Sequence, residues 1–179
     1  MFFSNYIKDV KIHQIERIVK MVSKKNLLNI FLSDLAVMNI KLHNLHWNIT
    51  GSDFIIIHKL TEKLYKKLQE QFDSVAEIMK MQNEKPFATM KDYLENTNIE
   101  EIESRDYSSY EVLEELNSDC HTLIDLAQQI RNEANKKDNF LVANLFEEYI
   151  SVYTKKSWII ETMLQEGNIT LDEETDSDD

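Results

Sequence analysis

At 179 residues and a formal net charge of −12, the chain can hold one domain with a sizeable core, and it is too acidic to bind nucleic acid over its whole surface. Two glycines and one proline leave few breaks and predict long helices. The single cysteine, Cys120, excludes an intrachain disulfide and suits a reducing compartment.

The opening MFFSNYIKDVK lacks an apolar core of signal-peptide length, and no apolar run approaches the ~18 residues needed to span a bilayer. A soluble, cytoplasmic protein with no membrane association is expected. Residues 1–24 read as a partly helical N-terminal extension. Together with Lys25, this stretch carries six basic residues (Lys8, Lys11, Arg17, Lys20, Lys24, Lys25) against Asp9 and Glu16.

Four stretches then show the 3–4 spacing that keeps side chains on one helical face. The first runs from about Lys25 to Ile49, with Leu28, Phe31, Leu35, Met38, Leu42 and Leu45 in register. Gly51 breaks it. The second runs from about Phe54 to Met81 through Ile57, Leu60, Leu64, Leu68, Phe72, Val75 and Met79. Pro86 stops any continuation, and a short helix is expected over Thr89 to Leu94.

The third stretch is marked by Leu113, Leu116, Cys120, Leu123, Ala127, Ile130 and Ala134. The fourth spans about Asn139 to Gln165, with Leu141, Leu145, Tyr149, Val152, Ile159 and Met163 as its stripe, and Gly167 follows where a helix favours a C-terminal glycine. Residues 25–166 are therefore expected to form an all-α four-helix bundle with one long central crossover. Residues 167–179, ending LDEETDSDD, read as an acidic, disordered tail.

Chemistry concentrates around the first turn of this bundle. His43, His46 and His58 are followed by Glu62, Asp73 and Glu77. Imidazole nitrogen with carboxylate oxygen suits divalent iron, and zinc or manganese as well. His58 and Glu62 share a helical face, as do Asp73 and Glu77, each pair being four residues apart. Glu62 and Asp73 are separated by about 16 Å of helix, so one chain cannot close both pairs on a single small site. No histidine has a glutamate three positions before it, which argues against a di-iron centre of the Glu-x-x-His kind inside one subunit.

Singly, each histidine fits an ordinary packed or surface residue, and Asp73 with Glu77 fits a solvated helix face. Metal binding becomes the better reading only through a family resemblance in their joint spacing, flanked by Trp47 and Gly51. The run LHNLHWNITGSDFIIIH followed by DSVAE, with PFATMKDYLENTNIEE and KKSWIIETML later, resembles the Dps family of ferritin-like mini-ferritins over roughly residues 25–166.

That resemblance implies a ferritin-like bundle assembled as a hollow homododecamer, with ferroxidase centres at two-fold interfaces. His46, His58 and Glu62 of one chain would face Asp73 and Glu77 of its partner. Glu62 stands where many members have aspartate. Trp47 and Trp158 match family tryptophans near the iron site. The implied activity is oxidation of ferrous iron with hydrogen peroxide or oxygen, storage of the ferric product in the cage, and protection from oxidative damage.

Two departures bear on other family attributes. At the start of the last helix, where the family carries pore-lining acids, KKDNFLVANLF offers Asp138 and places Asn144 at an acid's position. Basic residues in the first 25 positions are a possible DNA contact, which the net charge and acidic tail oppose. A DNA-compacting protein with secondary iron chemistry and a cage with weakened ferroxidase activity are the alternatives.

Overall fold

The computed structural model describes residues 26–166. It contains five helices: α1 (Leu27–Asn48), α2 (Phe54–Met81), α3 (Met90–Asn96), α4 (Ser109–Asn135) and α5 (Phe140–Glu166). The long helices pack as two hairpins, α1 with α2 and α4 with α5, and α1 also lies against α3 and α4. The all-α bundle with its central crossover is as expected, and the ends expected for the first, second, short and fourth helices fall within a few residues of those observed. The N-terminal extension, Gly167 and the acidic tail lie outside the described residues.

Local signals explain the helix starts. The Asn26 side chain accepts a hydrogen bond from the Leu28 amide and caps α1. Thr89 does the same for Asp92 at α3. Ser108 and Glu111 form a reciprocal capping box at α4. Bonds from the Ser108 backbone and hydroxyl, with the Arg105 guanidinium, hold the Glu111 carboxyl down at about 2.

Helix α1 is buried on every side near its start, from Leu28 through Leu35. Phe31 meets Phe146 edge-on at 4.9 Å and stacks on Tyr149 at 5.9 Å. The expected stripes of the first and third helices are all in the core. The fourth needs correction: Leu141 is exposed, while Val142, Ala143, Phe146, Tyr149, Tyr153 and Ile160 are buried. With apolar residues on several sides of α5, spacing alone admits more than one register, and packing on α4 selects this one.

The polar side chains of α1 tie the crossover along the bundle. Asn29 donates to the Lys85 carbonyl and accepts from the Phe87 amide. Farther along, Asp34 accepts from the Asn98 amide at 2.5 Å and the Thr97 hydroxyl at 2.8 Å. Burial still pushes the Asp34 carboxyl upward. Asn44 donates to the Glu103 carbonyl. Rising residue numbers on both sides show that the crossover follows α1 from start to end.

Lys41 binds α4. Its ammonium lies 2.7 Å from Glu115 and 3.0 Å from the buried Asp119. Burial pushes the Asp119 carboxyl up to about 6, against the pull of Lys41. Next to it, burial pushes the Cys120 thiol up to about 12. Asp119→Ala would leave the buried ammonium with the half-exposed Glu115 as its carboxylate. A loss of about 3 kcal/mol is expected, since removing one member of a buried pair strands the other; a urea midpoint unchanged from the wild type would refute it.

Candidate metal centre

The α1–α2 turn sets the geometry of the histidines. Gly51 has φ +105°, a conformation that side-chain-bearing residues avoid. Tyr107 pins the turn: its carbonyl accepts from the Thr50 amide and its amide donates to the Asn48 carbonyl, both at 2.9 Å. So fixed, the last turn of α1 faces the first turns of α2.

His46 and His58 meet across this hairpin with ring centroids 3.7 Å apart and planes 19° from parallel. Their backbone contacts are reciprocal. Nδ1 of His46 lies 2.9 Å from the His58 carbonyl, and Nδ1 of His58 lies 2.9 Å from the His46 carbonyl. A carbonyl only accepts, so each Nδ1 must carry the proton. In the neutral rings both Nε2 lone pairs are left for a ligand.

Burial lowers the pKa of His46, which favours the neutral, metal-binding form. The Thr61 hydroxyl sits 3.1 Å from the same Nδ1. Phe54 stacks on His58 at 4.8 Å and Tyr65 meets His46 edge-on at 5.3 Å, so aromatic rings flank the pair. His43 stacks on Tyr65 at 4.1 Å and binds the Asn39 carbonyl, outside the His46–His58 contact.

Glu62 is one turn beyond His58, near enough for its charge to act on His46. Its carboxylate pairs with Lys66, whose hydrogen bond holds it below the usual carboxylate range. Asp73 and Glu77 are exposed, farther along α2. Among the described residues, no three His, Cys, Asp or Glu side chains gather to hold a metal. The structure thus joins His46 to His58, leaves Glu62 beside them on Lys66, and keeps Asp73 and Glu77 apart from them.

Large apolar side chains are exposed on the two helices that carry the pair: Ile40, Trp47, Ile55 and Ile56 are each more than half exposed, Trp47 at 69%. Trp47 also lies 5.3 Å from the His43 ring. Trp158 is exposed on α5. Asn144 and Asp138 are exposed near the α4–α5 turn. Sequence reading missed Thr61 and Tyr65; their places on α2, three and seven residues after His58, were the available signal.

A model of the ferritin-like domain matches residues 25–169. The chain resembles the DNA protection during starvation protein of Helicobacter pylori, with 26% identity over 132 residues, 74% of this chain and 92% of that protein. The crystal structure of Helicobacter cinaedi CAIP superposes with a TM-score of 0.76 at 28% identity, covering 77% of this chain and 96% of that one. A Dps protein from Bacillus brevis gives 0.74 at 28% identity, covering 77% and 92%. The chain belongs to the ferritin-like family, in its Dps or mini-ferritin branch. Membership supports iron storage and oxidative protection in general terms.

Gly51→Val would force a β-branched residue into a strained backbone and loosen the turn that sets the histidine pair. A lowered urea midpoint, worth about 1–2 kcal/mol, is expected; an unchanged midpoint would show that the turn is not strained.

Proposed function

We propose that this chain is a ferroxidase subunit of a hollow homododecamer. It oxidises ferrous iron at two-fold interfaces and stores the ferric product in the cage, in a cytoplasmic setting. The carrying observation is the reciprocal histidine pair, whose carbonyl contacts leave both Nε2 atoms free beside an exposed apolar rim. Among the described residues, one subunit supplies imidazoles without a free carboxylate beside them. A two-fold contact over Ile40, Trp47, Ile55 and Ile56 would cover that rim. The same contact would bring Asp73 and Glu77 of the partner subunit to His46 and His58, and do so twice per dimer.

Mixed nitrogen and oxygen ligands suit ferrous iron as substrate, and also zinc or manganese as competitors. Hydrogen peroxide takes two electrons, one from each of two ferrous ions, and with two protons from solvent leaves as two waters. Carboxylates then favour the more highly charged ferric product. Trp47, exposed and 5.3 Å from the His43 ring, would take stray oxidising equivalents. Removing iron and peroxide together fits the protection named for the relatives. The absence of a helix long and apolar enough to cross a membrane among the described residues accords with this setting.

Complementation between chains tests the shared site. A His46→Ala, His58→Ala chain and an Asp73→Ala, Glu77→Ala chain should each lose peroxide-driven ferrous oxidation. Mixed assembly at equal amounts should restore about a quarter of the sites, because each heterodimer carries one intact centre. Activity that stays absent in verified mixed cages would overturn the interfacial arrangement.

Lys66→Ala tests Glu62. Freed from its ammonium partner, the carboxylate should turn to iron and raise oxidation at subsaturating iron by about threefold. An unchanged rate would remove Glu62 from the ligand set.

A further inference from the structure

The α4–α5 hairpin carries a second group of ligand atoms, separate from the α1–α2 histidine pair. Asn117 and His121 are four residues apart on α4, and Ser157 and Glu161 are four apart on α5. Each pair therefore shares a helical face. The short connection at 136–139 makes the helices antiparallel, and the two pairs meet.

Nε2 of His121 lies 3.1 Å from Oε1 of Glu161. The Ser157 hydroxyl lies 2.7 Å from Oδ1 of Asn117, 3.1 Å from the same Glu161 oxygen and 3.2 Å from the same His121 nitrogen. Four lone-pair-bearing atoms thus make four mutual contacts. At most two protons serve them, one from the serine and one from the imidazole. The cluster is poor in donors.

We propose that this cluster binds one first-row divalent cation, such as zinc or cobalt, with His121 and Glu161 as its principal ligands. Asn117 adds an amide oxygen, and Ser157 adds or supports with its hydroxyl. The spacing fits. Metal–nitrogen and metal–oxygen bonds of about 2.1 Å place neighbouring donors about 3.0 Å apart at octahedral angles and about 3.4 Å apart at tetrahedral ones, and the 3.1 Å between His121 and Glu161 falls within that range.

Burial is divided in the way such a site needs. Ser157 is buried at the base, while the His121 and Glu161 side chains are 56% and 45% exposed. Water can therefore complete the coordination, and ions can enter from solvent. An imidazole, a carboxylate and an amide oxygen favour zinc, cobalt, copper or ferrous iron over calcium and magnesium, which prefer all-oxygen shells. The site shares no residue with the histidine pair, so it stands whether or not that pair is a ferroxidase centre.

Trp158 adjoins Ser157 and offers a direct reporter, because cobalt quenches nearby indole fluorescence. The full-length chain carrying His46→Ala and Trp47→Phe keeps Trp158 as its tryptophan and lacks a complete histidine pair. Titration with cobalt chloride should quench Trp158 saturably, with one ion per chain, and zinc should reverse it by displacement. His121→Gln or Glu161→Gln should raise the half-saturating concentration at least about tenfold, with thermal unfolding unchanged. Quenching that is linear in cobalt, or saturable quenching indifferent to both substitutions, would overturn the site.

Discussion

A helix enclosed by its neighbours must still satisfy every polar side chain it carries, and α1 is built under that constraint. Asn29, Asp34, Lys41 and His46 follow one another along it, and each reaches a different part of the chain. Asn29 and Asp34 hold the crossover, Lys41 holds α4, and His46 holds α2. Apolar burial alone would let these neighbours slide. The directional contacts fix their height, and the histidine geometry inherits that precision.

The bundle was legible because few residues in this chain interrupt a helix. In the third helix one apolar stripe stood against polar surroundings, and those residues fill the core; the stripe expected in the first is buried as well, within a helix start enclosed on every side. Helix α5 was harder. Phe140, Leu141, Val142 and Ala143 are consecutive apolar residues, so every register offers an apolar face. What selects the buried face is the partner surface, including Phe31 packed on Phe146 and Tyr149. The path of the crossover was hidden for a related reason: Asp34 in an apolar helix looks like an exception until its partners at Thr97 and Asn98 are seen.

At the site, sequence spacing carried the identity of the histidines but not their protonation. That His46 and His58 approach each other follows from a short turn between two helices. That each Nδ1 finds the other's carbonyl depends on backbone positions no motif records. The Glu62–Lys66 pair is local, four residues apart, and the sequence reading passed over it. Asp73 and Glu77 belong to a different case. Their helical face is evident from the sequence, yet within one chain both stay exposed and apart from the histidines.

Cys120 sits in the middle of α4, sealed by its neighbours and with its thiol pushed up to about 12. Thiolate, not thiol, is the form that attacks peroxides and disulfides. The chain's one sulfhydryl is thus kept out of electron traffic. Under the function proposed above, the cage would age under oxidant without cross-linking through sulfur, and electrons passed to the oxidant would come from iron or from aromatic rings, not from a thiol the fold relies on for packing.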